Sequence, residues 1–168
     1  MSSIPVLKVV VAGDGNVGKT SLIRRYCEGR FEASRVATIG VDFQTQTVDL
    51  PSGRVKLSIW DLAGQDRFQV VRAGFYRGSR AAALVFDLTS FESLEHLSRW
   101  RQEILQAVPK IRFVVVGNKT DLPRPPGAQG ADAFAARIDA LYLESSALDG
   151  SGVAATFTAL ARLATSAA

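Results

Sequence analysis

Leu7-Lys8-Val9-Val10-Val11-Ala12-Gly13-Asp14-Gly15-Asn16-Val17-Gly18-Lys19-Thr20 decides how this chain folds. The run from Leu7 to Ala12 is short and apolar, holds three consecutive valines and ends at glycines, which is the pattern of a buried strand; a helical stretch follows it to Gly29. Between the two, Gly13 to Thr20 satisfies the phosphate-loop pattern G-x-x-x-x-G-K-[ST]. Glycines let the backbone curl until consecutive N–H groups point at one spot, and the helix that follows adds the positive end of its dipole. Lys19 can then reach outer phosphates, and Thr20 offers a hydroxyl to Mg²⁺. A glycine-rich turn would fit the composition, but the strand-loop-helix setting predicts phosphate binding.

Outward from this stretch, the pattern stays regular. Val41 to Leu50 alternates as strands do, Pro51-Ser52-Gly53 has turn chemistry, and Arg54 to Leu62 returns with Val55, Leu57 and Ile59 on one face, an antiparallel hairpin. Ala81 to Asp87 is a strand, and Thr89-Ser90-Phe91-Glu92 is a capping box opening a helix to about Val108, with Leu94, Leu97, Ile104, Leu105 and Val108 as its apolar stripe. Ile111 to Gly117 is the next buried strand, and the loop from Leu122 to Gly130 holds three prolines. A helix runs through Phe134 and Ile138, Leu141 to Glu144 is a short strand, and Val153, Phe157, Leu160 and Leu163 mark a last helix. Alternating strand and helix predicts a parallel sheet covered on both faces, with ligands at the carboxyl ends of the strands.

The chain of 168 residues, 47% apolar and 21% charged, is the size of one domain and leaves no room for a second. Its one cysteine, Cys27, cannot staple a secreted scaffold, which favours a reducing, cytoplasmic setting. Apolar runs such as Ala81 to Phe86 fall far short of the roughly 20 residues a membrane span needs. The net charge of +4 is spread along the chain without a basic block, so no nucleic-acid partner is expected.

Two further loops carry chemistry. Asn118-Lys119-Thr120-Asp121 ends the fifth strand, and its carboxylate can take two hydrogen bonds from one planar ligand edge. Guanine offers two donors on that edge, whereas adenine would leave Asp121 facing a lone pair. Trp60-Asp61-Leu62-Ala63-Gly64-Gln65 follows the third strand and fits a segment that senses a terminal phosphate: Asp61 beside a Mg²⁺ shell, the Gly64 N–H on the outer phosphate, Gln65 orienting a water. Thr38, taken singly, reads as a surface threonine more often than as a ligand.

With the phosphate loop, Thr38-Ile39-Gly40, Asp61 to Gln65, Asn118 to Asp121 and Glu144-Ser145-Ser146-Ala147 in this order, the chain resembles the small GTPases of the Ras superfamily over nearly its whole length. It is most similar to the Rab type, through Ile39-Gly40-Val41-Asp42-Phe43, Lys56-Leu57-Ser58-Ile59-Trp60-Asp61, Phe75-Tyr76-Arg77-Gly78-Ser79 and Leu84-Val85-Phe86-Asp87. The resemblance implies the P-loop GTPase fold: α/β, a six-stranded, mostly parallel sheet with one antiparallel hairpin strand, helices on both faces, and one small-GTPase domain over residues 1–168. It implies a switch that binds GDP or GTP with Mg²⁺ and hydrolyses GTP slowly, a Rab-like regulator of effectors in membrane trafficking. A related module that holds nucleotide with negligible hydrolysis is the alternative, opposed by the presence of Gln65 and Thr38. An adenine-nucleotide kinase or ATPase is opposed by Asp121.

Carried over by the same resemblance, the backbone of Gly15, Asn16, Val17, Gly18, Lys19 and Thr20 and the Lys19 amine hold the α- and β-phosphates, Ser21 contacts the α-phosphate, and Phe31 stacks on guanine. Thr20 and Thr38 ligate Mg²⁺, with Asp61 in its shell. Gly64 meets the outer phosphate and Gln65 is catalytic. Asn118 and Asp121 read the base, Lys119 packs its stem along base and phosphate loop, and Ser146 and the Ala147 N–H close around the guanine oxygen; Leu148, next in line, leaves apolar cover of the ribose and base possible. Exchange, activating and effector proteins are the implied partners of a monomer.

Some residues depart from the family pattern. Leu148 stands where a lysine is usual, which predicts somewhat weaker nucleotide affinity; Arg35, Ala37, Leu62 and the prolines Pro123, Pro125 and Pro126 differ as well. Thr165 to Ala168 offers no cysteine for a prenyl group, so membrane attachment is not expected of the chain as it stands. His96 falls opposite an apolar stripe and reads as solvated, Cys27 as a packing residue, Trp60 and Trp100 as core, and Arg72, Arg77 and Arg80 as a solvated face.

Overall fold

The computed structural model describes residues 3–29, 41–62, 64, 69–125 and 130–166. Phe31, Arg35, Ala37, Thr38, Gln65 and Pro126 lie outside the described residues. The elements run β1 (Val6–Ala12), α1 (Lys19–Glu28), β2 (Val41–Leu50), β3 (Gly53–Leu62), α2 (Gln69–Tyr76), β4 (Ala81–Asp87), α3 (Phe91–Glu95), α4 (Leu97–Ala107), β5 (Arg112–Asn118), α5 (Ala131–Arg137), β6 (Leu141–Ser145) and α6 (Val153–Ser166).

The strands make one six-stranded sheet in the order β2-β3-β1-β4-β5-β6, parallel throughout except for the β2–β3 hairpin. Period-two alternation sorts the side chains onto two faces. Val9 and Val11 of β1 pack with Leu22 and Ile23 of α1 and Phe157 and Leu160 of α6. Val10 and Ala12 face the other way, onto Tyr76 of α2, Leu97, Trp100 and Ile104 of α4, and Phe134 of α5. All seven residues of β4 are buried, as expected of a central parallel strand covered on both sides. This arrangement brings the ends of β1, β3, β4, β5 and β6 to one rim.

The hairpin pairs Asp49 with Arg54 beside its turn and Asp42 with Asp61 at the rim. The first pair is an ion pair at 2.7 Å; the second sets two carboxylates opposite each other. Trp60, expected in the core, is only part-buried: it stacks on the exposed Phe43 at 4.9 Å and meets the Phe75 ring at a tilt, 5.6 Å between centroids. Cys27 is a packing residue, as expected; burial first, then the Glu28 charge, pushes its thiol up to about 11.

Two local expectations are corrected. The helix cap is Ser90, whose Oγ accepts from the Ser93 N–H at 3.3 Å; Thr89 turns back to Asp87 Oδ1 instead. The single helix expected to Val108 is broken at His96, which closes α3 and opens α4 with φ −74° and ψ −11°. No proline or glycine marks the break; it falls where His96 meets Asp14.

Arg72, expected on a solvated face, is 2% exposed. Its Nε and Nη2 fork both oxygens of Glu103 on α4 at 2.9 and 2.8 Å, and its guanidinium lies 4.4 Å from the Trp100 ring centroid. Tyr76 donates to the same carboxylate, and burial together with that contact raises its phenol and keeps it protonated. A buried carboxylate left without its fork is costly. Arg72→Met is therefore expected to lower stability by about 3 kcal/mol at fixed nucleotide concentration, read as a lower urea midpoint with an unchanged slope, and Arg72→Met/Glu103→Leu is expected to recover part of the loss.

Candidate functional site

The rim is built first from the phosphate loop between β1 and α1. Its last glycine, Gly18, has φ +96°, and a Cβ there would stand 2.4 Å from Asn118 Nδ2. As the N-cap of α1 it brings no side-chain cap, and the first turn of the helix holds no acidic residue. A helix end with neither a capping side chain nor an acidic first turn is suited to take an anion.

Lys19 is 6% exposed and donates to the Gly13 carbonyl at 2.8 Å and the Asp14 carbonyl at 2.7 Å. Burial lowers its amine to about 8 despite the charges of Asp61 and Asp14. Two of its three hydrogens are held by neutral carbonyls, so a phosphate would restore the charge that burial disfavours. Next to it, Thr20 Oγ1 donates to Asp61 Oδ2 at 2.5 Å. Asp61 Oδ1 is buried with no hydrogen-bond partner among the described residues, and burial raises the carboxyl. A carboxylate with one orphaned oxygen beside a threonine hydroxyl has the chemistry of a hard-cation site, so the residues present fit Mg²⁺. Ser21 follows Thr20 in the first turn of α1.

Gly64 lies directly against the loop, where a Cβ would come within 2.5 Å of Gly13 O, 2.7 Å of Gly15 N and 2.8 Å of Asp14 C. Only a residue without a side chain brings this segment so close. Asp61 and Leu62 are the last two residues of β3, within the strand read from the sequence as Arg54 to Leu62.

The second half of the rim follows β5 and β6. Asn118, 1% exposed, donates from Nδ2 to the Val17 carbonyl at 3.0 Å and accepts from Ser145 Oγ at 3.1 Å. Lys119, at φ +75°, crosses to the Asn16 carbonyl at 2.8 Å and pairs with Asp87 Oδ2 at 2.8 Å. Burial works to raise Asp87, but the bonds from Lys119 and Thr89 outweigh it and hold the carboxyl below its ordinary value. Ser146 Oγ donates to Asp121 Oδ1 at 2.8 Å, Ala147 is buried beside it, and Leu148 is half-exposed. The structure thus gathers Gly15 to Ser21, Asp61, Gly64, Asn118, Lys119, Asp121 and Ser146 to Leu148 on one rim.

The sequence matches the Ras family over residues 8–166. It is 43% identical over 159 residues to Ras-related protein Rab-30 of Homo sapiens, covering 93% of this chain and 78% of that protein. It is 41% identical over 155 residues to Ras-related protein RABA4c of Arabidopsis thaliana, covering 90% and 70%, and 38% identical over 156 residues to Ras-related protein Rab11A of Lotus japonicus, covering 91% and 69%. The chain is a Rab-type member of the Ras family. This Rab-type GTPase is a guanine-nucleotide switch, and guanine nucleotide and regulator or effector proteins are its ligands and partners. No helix among its described residues is long and apolar enough to cross a membrane.

Sequence reasoning missed several residues of the GTPase's rim. Arg25 of α1 donates to the carbonyls of Leu148 and Asp149, both at 3.3 Å, tying the phosphate-loop helix to the base-side loop. His96, expected in solvent, has Nδ1 2.5 Å from Asp14 Oδ2, with its side chain 33% exposed. Trp100 Nε1 donates to Asp14 Oδ1 at 2.8 Å. In each case the signal is a partner far away in sequence, beyond local pattern. At Gly18, by contrast, the constraint is local: Gly18→Ala adds strain of about 1–3 kcal/mol at a positive φ and drives a methyl into Asn118. Release of a fluorescent guanine nucleotide is expected to be at least about tenfold faster in that variant.

Proposed function

We propose that the nucleotide lies across this rim with its phosphates in Gly13 to Thr20 and its base between Lys119, Asp121 and Ser146 to Leu148, the chain acting as one monomeric domain in the cytoplasm. The observation that carries the reading is the pairing of a buried, anion-seeking Lys19 with an orphaned Asp61 oxygen beside Thr20. The first calls for phosphate and the second for a cation, and a nucleotide with Mg²⁺ supplies both. Thr20, Asp61 and Thr38 would hold the ion, which when bound offsets phosphate charge.

In this reading the backbone of Gly15 to Thr20 and the Lys19 amine bind the α- and β-phosphates, and Ser21 the α-phosphate. Asn118 fixes the phosphate loop while Asp121 accepts from the guanine edge, and Phe31 stacks on the base. Gln65 orients a water for in-line attack on the γ-phosphorus: a new oxygen–phosphorus bond forms, the bond to the β-phosphate oxygen breaks, and GDP and phosphate leave. Without a partner's arginine the rate is expected on the order of 10⁻⁴ s⁻¹.

Chromatography of the nucleotide released on denaturing fresh protein is expected to show GDP near equal stoichiometry, and adenine nucleotide there would overturn the base reading. EDTA is expected to speed GDP release strongly in the wild type and much less in Asp61→Ala, which isolates the ion's contribution. Gln65→Leu is expected to cut GTP hydrolysis at least about tenfold while GTP binding is retained; equal hydrolysis in the variant would remove Gln65 from its role.

A further inference from the structure

Asp14 stands within the phosphate loop, yet its carboxylate is turned onto helix α4. Its two oxygens are divided between two donors, Trp100 Nε1 on Oδ1 at 2.8 Å and His96 Nδ1 beside Oδ2 at 2.5 Å. A carboxylate oxygen accepts, so this contact is a hydrogen bond in the His96 tautomer that carries its hydrogen on Nδ1. Arg99 adds a positive charge 4.0 Å from Oδ1, while Glu92 lies 3.8 Å from the far nitrogen of His96, too long for a hydrogen bond. The side chain of Asp14 is 22% exposed, so its charge is poorly screened and depends on these partners.

Two demands meet at this residue. Its backbone carbonyl helps hold Lys19, and Gly64 packs against its carbonyl carbon and against its two neighbours. Its charge is of the wrong sign for a loop that binds phosphates. We propose that His96, Trp100 and Asp14 form a clasp that positions the nucleotide site: the two α4 donors hold the Asp14 carboxylate off the phosphates and thereby fix the backbone on which Lys19 and Gly64 depend. The clasp rests on the reading of Gly13 to Thr20 as the phosphate site. Trp100 extends it to α2, because its ring lies under Arg72, whose fork to Glu103 seats that helix. His96 and Trp100 are positioning residues, acting through Asp14.

The test is a charge rescue, read as the release rate of a fluorescent GDP analogue from the full chain. His96→Ala frees the Asp14 charge, and release is expected to be about tenfold faster. Adding Asp14→Asn removes the charge that His96 holds, so His96→Ala/Asp14→Asn is expected to release within about threefold of Asp14→Asn alone. A packing role for His96 would leave its effect at full size in both backgrounds, and that result, or wild-type release in His96→Ala, overturns the clasp. Trp100→Phe keeps a ring beneath Arg72 and removes only the N–H; it is expected to show the same suppression by Asp14→Asn and carries the test should His96→Ala fail to fold. A wild-type chain that did not bind GDP would overturn the phosphate-site reading instead.

Discussion

One buried amide holds the rim together. Asn118 receives a hydrogen bond from Ser145 at the end of β6 and gives one to Val17 in the loop after β1, and that loop can approach only because Gly18 has no Cβ. The ends of β1, β5 and β6 are thereby fixed to one another at their tips. Lys119 repeats the connection one residue later, reaching Asn16 while leaning on Asp87. The base-side loop therefore cannot shift without moving the phosphate loop, and a ligand touching both meets a preformed surface.

Around that tie the protein carries several charges that burial disfavours. Lys19 and Asp61 are left with less than full compensation by the protein itself, whereas Arg72 and Glu103 satisfy each other in a two-pronged contact. The difference sorts the buried charges by purpose. A pair whose hydrogen bonds are complete stabilises the seat of α2; a group whose needs are incomplete is poised for something from outside.

Much of this was legible in the chain. The strands, the hairpin and the phosphate loop are local patterns, written in alternation, in turn residues and in the spacing of Gly13, Gly18 and Lys19. Arg72, His96 and Trp60 were misread because charge and periodicity describe a residue's own helix or strand. Arg72 finds Glu103 across 31 positions, His96 finds Asp14 across 82, and Asn118 finds Val17 across 101. The break between α3 and α4 belongs to the same class, since it occurs at a residue with no helix-breaking chemistry of its own and coincides with a tertiary contact.

The β2–β3 hairpin is electrically lopsided. Near its turn Asp49 and Arg54 attract; at the rim Asp42 and Asp61 face each other with like charge. Cross-strand pairs of like charge weaken a ladder and opposite pairs strengthen it. A ribbon built this way is held more firmly beside its turn than at its rim end. β2 lies at the sheet edge and pairs with β3 alone, so the like-charged pair at Asp42 sits where the sheet gives the strand least support. The register thus places two like charges at the rim end of an edge strand, so a cation held at Asp61 would offset their repulsion and couple the strength of the ladder there to what the rim binds.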